Sequence, residues 1–163
     1  VHLGTVLMLP NLAAHDAFAR LSERTQVNTV TALPAPAPEK AVMPFMDPAF
    51  AVSVCRYDLA RGPLKFSVPI SPAYTSVSFY TRSDVAYYAI NDRPAGRRVT
   101  ELDLMTTERR AALPENEEIT AADRLIVTSP TTTGLIVIRA LAPEPGLVAA
   151  ARAALAAAQC RRA

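Results

Sequence analysis

Tryptophan is missing from this sequence, and histidine occurs twice, at His2 and His15. Both lie near the start of the chain. His15-Asp16 does not have the spacing of a metal-ligand pair, and neither cysteine has a histidine near it in sequence, so no zinc site is expected. The same scarcity leaves a Ser/His/Asp triad short of its base. There are five glycines in all. No G-x-G-x-x-G, P-loop or G-x-S-x-G occurs, and a phosphate-cradling loop has little material to be built from. Lysine is confined to Lys40 and Lys65, and the net charge is +2. The arginines that supply the remaining positive charge are scattered, which excludes the electrostatic footprint of a nucleic-acid binder. No apolar run reaches the length of a bilayer span. No metal or cofactor is expected on these grounds.

What the chain does contain is ordinary for a globular protein. It has 163 residues, 50% apolar and 20% charged, enough to bury a core as one domain overall. Alanine, arginine and 14 prolines dominate the bias, which reads as the mark of a high-GC bacterial genome. Residues 1–10 are apolar apart from His2 and Thr5. They are either an extended arm or first strand packed on the core, or the end of a longer membrane span. Asn11 suits a helix N-cap, and Leu12, Ala13, Ala17, Phe18 and Leu21 recur at helical spacing, predicting a helix over 11–24. Pro34, Pro36, Pro38, Pro44 and Pro48 make 31–48 an extended surface connector. Residues 11–48 thus form a helix and connector ahead of a β domain at 49–163.

Strand signals follow. Phe50, Val52 and Val54 alternate with Ala51, Ser53 and Cys55, and Leu64, Phe66 and Val68 alternate with Lys65 and Ser67. Residues 74–81, 85–90 and 99–105 read as three more strands. Residues 106–123 read as a short helix and loop. Two β-branched runs, 125–127 and 135–138, lie so close that they predict a hairpin. Pro145 opens an alanine-rich helix running to Ala158. Short connections imply antiparallel pairing. The fold class is mostly β, α+β by count: an antiparallel β-sandwich or partly closed barrel with an N-terminal helix and a C-terminal alanine-rich helix.

Two polar groups stand out as weak ligand-binding candidates. Asn91, Asp92, Arg93 and Arg97 follow a strand carrying Tyr87 and Tyr88, and arginine forks suit carboxylate or phosphate. The plainer alternative, which the residues favour, is a turn whose Asn and Asp bond their own backbone. Arg56 and Asp58 end the first long strand, where the plain alternative is an exposed cross-strand ion pair of little energetic worth. The cluster Glu115-Asn116-Glu117-Glu118 has the look of a solvated loop, and no catalytic residue is assigned. Cys55 and Cys160 permit either one disulfide or two buried thiols.

Asp47-Pro48-Ala49, Cys55-Arg56-Tyr57-Asp58-Leu59 and Gly62-Pro63 resemble segments of domain of unknown function family 1254. So do Tyr88-Ala89-Ile90-Asn91-Asp92-Arg93, the 125–139 segment with Ser129-Pro130, and an alanine-rich tail ending near Cys160. The resemblance covers roughly residues 44–160. It implies a bacterial protein found beside family 1214 proteins, with short members beginning in a membrane span followed by a leucine/proline stretch like Leu7 to Pro10. Residues 1–10 then become the end of an inner-membrane anchor with the domain in the periplasm. The asparagine-rich segment of long members is not found here, and the family supplies no reaction or catalytic residue. A periplasmic location implies in turn a disulfide between Cys55 and Cys160, which requires the last helix to end before Cys160.

Three readings of function follow. The first is a non-catalytic, membrane-tethered module that binds a partner protein, such as a family 1214 neighbour; its sign would be an exposed apolar patch. The second is a small-ligand or glycan-binding β domain using Tyr87, Tyr88 and the arginines; its sign would be a concave pocket where they converge. The third is a hydrolase-like enzyme with Asp92 or Asp58 as base; its sign would be a deep carboxylate with a raised pKa.

Overall fold

Along Thr75–Thr81 every second residue is buried, as a strand with one face in the core requires. This strand, β4, belongs to a computed structural model that describes residues 2–12, 16–37, 39–69, 74–91, 99–114 and 125–163. The other strands are β1 (Val30–Ala32), β2 (Phe50–Asp58), β3 (Leu64–Pro69), β5 (Ala86–Asn91), β6 (Val99–Thr106), β7 (Leu125–Ser129), β8 (Thr133–Leu141) and β9 (Gln159–Arg162). They form a five-stranded sheet, β1-β2-β8-β4-β5, and a four-stranded sheet, β7-β6-β3-β9. The sheets face each other over one core in which Phe79, Ile136 and Ile138 meet Leu64, Phe66 and Leu104. The Phe66 and Phe79 rings pack edge to face with centroids 6.1 Å apart. The result is a β-sandwich-like α+β fold rather than a closed barrel.

The helices among the described residues are α1 (His2–Leu12), α2 (Ala17–Ser22), α3 (Thr107–Ala111) and α4 (Val148–Ala156). A 3-10 turn at Pro145–Leu147 leads into α4, whose Ala151 and Leu155 are buried in the core. A second, smaller cluster lies on the outer face of the five-stranded sheet. There Leu21 of α2 and Leu33 and Val42 of the connector meet Val54, Leu135 and Val137. α1 exposes Leu3, Val6, Leu7 and Met8.

Several expectations are corrected. The helix predicted over 11–24 is divided: α1 runs to Leu12 and α2 begins at Ala17, capped by Asp16, whose Oδ1 accepts from the Ala19 N–H at 2.6 Å. The connector is not wholly a surface strap. Its first residues pair with β2 as β1, and Leu33 and Val42 are buried. The predicted 125–138 hairpin does not form. β7 and β8 belong to different sheets, and β7 pairs with β6 in parallel. The corner between them is set by Ser129, whose Oγ donates to the Thr131 carbonyl at 2.6 Å and accepts from the Thr131 N–H at 3.2 Å. Parallel pairing needs a long crossover, and residues 107–124 provide it. The alanine-rich helix stops at Ala156, and Cys160 sits in β9, a strand the sequence reading did not anticipate.

Cys55 of β2 and Cys160 of β9 form a disulfide with Cα atoms 6.4 Å apart. It joins the five-stranded sheet to the four-stranded one. The bond suggests an oxidising compartment, where such bridges form and persist.

Candidate functional site

Tyr57 is fully buried, and its hydroxyl has three oxygen neighbours: the Tyr80 carbonyl at 3.1 Å, Tyr87 Oη at 3.2 Å and Ser129 Oγ at 2.9 Å. Proton accounting orders this network. The one Ser129 proton goes to the Thr131 carbonyl, so the single Tyr57 proton is shared between Ser129 Oγ and the Tyr80 carbonyl, and Tyr87 donates to Tyr57. Burial raises the Tyr87 pKa well above the usual phenol range, with the Tyr57 hydroxyl adding to the rise and Ser129 opposing it. Tyr87 is therefore a neutral donor and not a phenolate. Its ring and that of Tyr88 both pack on Phe79, at 6.2 and 5.7 Å. Both tyrosines are half-buried and pack against the inter-sheet core.

Arg56 and Asp58 serve the chain's own backbone. Arg56 Nη2 donates to the Thr25 carbonyl at 3.0 Å. The Arg56 carbonyl accepts from Asn28 N–H at 2.8 Å. Asn28 Oδ1 accepts from the Asp58 N–H at 2.9 Å, and Asp58 Oδ1 accepts from the Ala60 N–H at 2.8 Å. These bonds strap residues 25–28 to the end of β2. Neither Arg56 nor Asp58 joins a cross-strand ion pair among the described residues. Asn91 lies exposed at the end of β5, in register with Ser76. Asp92, Arg93 and Arg97 fall outside the described residues, as does His15. The structure thus brings Tyr87 to Tyr57, and Arg56 and Asp58 to the 25–28 strap, without joining the two groups.

A different feature emerges from residues 42–47. Val42 is buried in the outer cluster with Met43 and Met46 packed beside it. Between them Phe45 is completely exposed, with a φ of 59°. A bulky residue in the left-handed region is strained, and this one gains no burial within the chain to offset it. Beside it a groove of about 380 Å³ separates loop from sheet. Met43, Phe45 and Met46 contribute from the loop, and Tyr74, Val137 and Arg139 from the sheet. The groove is mainly apolar, with Asp47 and Arg139 as its charged lining residues. Reasoning from sequence missed Phe45. The available signal was a run of large apolar residues, Val42 to Met46, with neither helical nor strand periodicity.

Comparison with known proteins adds the following. Residues 26–162 match the family described as "Protein of unknown function (DUF1254)". No curated protein matches. Two solved bacterial structures share the fold. The VPA0106 protein of Vibrio parahaemolyticus aligns with 93% of this chain and 33% of its own, at 14% identity and a TM-score of 0.65. An uncharacterised protein of Burkholderia cenocepacia aligns with 87% of this chain and 36% of its own, at 15% identity and a TM-score of 0.53. The chain therefore spans about a third of the length of these relatives.

Proposed function

The chain belongs to the DUF1254 family, and from that membership together with the exposed Phe45 loop we propose that it is a non-catalytic protein-binding module of the bacterial envelope. The observation that carries the reading is Phe45: a strained, fully exposed aromatic at a groove mouth, flanked by methionines. Aromatic anchors dominate interface energetics, and methionines adapt to varied partner surfaces. The partner is an envelope protein, with a family 1214 neighbour as the first to test. The Cys55–Cys160 bond supports a periplasmic position. α1, apolar and exposing Leu3, Val6, Leu7 and Met8, suits the membrane-proximal end of an inner-membrane anchor. No helix among the described residues is long and apolar enough to cross a membrane.

The rival readings find less support. Tyr87 is held in a hydrogen-bond network with the buried Tyr57. Asp16, a carboxyl with a shifted pKa, is shifted down and caps a helix, opposite to a poised general acid.

The test is a photo-crosslinking residue at position 45 of the full-length protein in its native host. A discrete adduct with one envelope protein is expected, and Phe45→Ser should abolish co-purification of that protein while leaving the fold intact. Absence of any adduct, or co-purification unchanged by Phe45→Ser, would overturn the reading.

A further inference from the structure

At the Phe45 groove an anchor and a receptor lie in one patch. Phe45 borders the groove and leaves its ring fully exposed. The hollow, about 380 Å³, has room for a ring, since a cavity of about 150 Å³ already holds benzene. Its apolar wall includes Met43, Met46, Phe50, Val52 and Tyr74. The first four are half-buried and Tyr74 is exposed, so a visitor can touch them all. The left-handed backbone at Phe45, with a φ of 59°, is a conformation that persists where a further contact over-determines it. No contact among the described residues buries this ring.

The charges follow the same pattern. Asp47 and Arg139 both border the groove, and neither forms an ion pair among the described residues. Asp47 accepts from the Ala49 N–H through Oδ1 at 2.9 Å, which leaves Oδ2 for another donor. A surface with one aromatic knob, one apolar hollow, one anion and one cation is complementary to its own copy after a two-fold rotation.

We propose that the groove receives a second copy of this chain, in a closed two-fold dimer. Each Phe45 ring enters the other copy's groove, and Asp47 of each copy meets Arg139 of the other. An isologous contact makes every interaction twice, and a knob beside its hollow lets the pair close. A knob and hollow on separate faces would instead build an open chain of molecules. Two phenyl rings remove roughly 300–500 Å² of surface from water, a fraction of the roughly 1,600 Å² of a standard interface. The dimer is therefore weak, dissociating in the micromolar range or above. The inference rests on the reading of the Phe45 loop as a docking surface and adds its regulation: self-association covers Phe45 until an envelope partner displaces the second copy.

Sedimentation velocity of the purified oxidised protein, from micromolar to millimolar concentration, is the test. A monomer should give way to a dimer and to nothing larger. Phe45→Ser should stay monomeric throughout. Asp47→Arg and Arg139→Asp should each weaken dimerisation roughly tenfold or more, because each sets like charges against one another across the contact. Mixed in equal amounts, these two variants should associate again, because both cross-contacts then join an arginine to an aspartate. Asp47→Asn, which can keep the Ala49 bond, should weaken the dimer by loss of charge alone, with circular dichroism unchanged. Unaltered protein that stays monomeric at millimolar concentration would overturn the proposal. So would dimerisation indifferent to Phe45→Ser, a mixture that associates no better than its components, or growth into larger assemblies. Each of those results leaves capture of an envelope protein at position 45 untouched, whereas a missing envelope adduct removes that partner and not the dimer.

Discussion

At residue scale the tightest constraint is Gly134. A Cβ there would overlap both the Tyr80 carbonyl and the phenolic end of Tyr57. One of those neighbours is backbone in the middle of a sheet and cannot yield as a flexible side chain would. Gly134→Ala should therefore destabilise by about 3 kcal/mol in urea denaturation, a large overpacking effect; a loss under about 1 kcal/mol would show that the strands separate easily. Tyr57→Phe should lose about 1–3 kcal/mol, because it removes the buried hydroxyl that joins Tyr87, Ser129 and the Tyr80 carbonyl. Phe45 should behave oppositely. Phe45→Gly relieves a left-handed φ, and glycine's extra unfolded-state entropy cancels part of the gain. The isolated domain should become more stable by up to about 1 kcal/mol in thermal melts while partner capture falls. A clear destabilisation would mean that the phenyl ring packs against the chain after all.

At element scale α2 is the most condition-dependent piece described. It has six residues, far too few to persist without tertiary support. Its N–H groups are held by Asp16 and by Asp84 in the β4–β5 turn, which accepts from Ala17 N–H at 3.0 Å. Arg82 of the same turn pairs with Asp16 at 2.9 Å and stacks over Phe18. The Ala19 N–H bond holds the Asp16 pKa below 3.8 against the opposing effect of burial, with Arg82 assisting. A depressed carboxyl pKa means support that is complete above the unfolded-state value and is lost as pH falls through the folded one. An NMR titration should place the Asp16 midpoint below 3.8, with α2 loosening at lower pH still. Asp16→Ala should cost about 1 kcal/mol as a lost cap, and Asp16→Asn much less, because the half-exposed pair with Arg82 contributes little.

The same elements show what was readable from the sequence. Most strands announced themselves through period-two alternation, because each has one face in the core and the other less buried. β8 did not alternate: Gly134 to Ile138 are all buried, with Ile136 and Ile138 in the inter-sheet core and Leu135 and Val137 in the outer cluster. A continuous apolar run marks a strand covered on both faces. Its nearness to residues 125–127 imitates a hairpin, and the missing alternation is the stronger signal. β9 was illegible because its four polar-flanked residues gain their conformation from pairing with β3 and from the disulfide, not from propensity. The Phe45 groove was illegible because its walls come from the connector and from three strands distant in sequence.

At the scale of the whole molecule the disulfide is the dominant covalent constraint. Its cysteines are 105 residues apart in sequence, for which the chain-entropy account gives about 4–5 kcal/mol of stabilisation. Urea midpoints measured with and without reductant should differ accordingly, and alkylation of denatured protein exported to the periplasm should find no free thiol. Two free thiols per chain would refute both the bond and the compartment. The bond also governs how the molecule responds to tension, the load that the proposed role, with a membrane at one end and a partner at the other, would impose. A pull on the two termini enters β2 at residue 55 and leaves through β9 at residue 160, directly across the S–S link. Everything between those residues, including β8 at the centre of the larger sheet, lies in a closed covalent loop that tension cannot draw out. While oxidised, the protein can lengthen only by releasing chain outside the Cys55–Cys160 loop. Single-molecule extension should therefore show a short unfolding step that becomes several times longer when the bond is reduced.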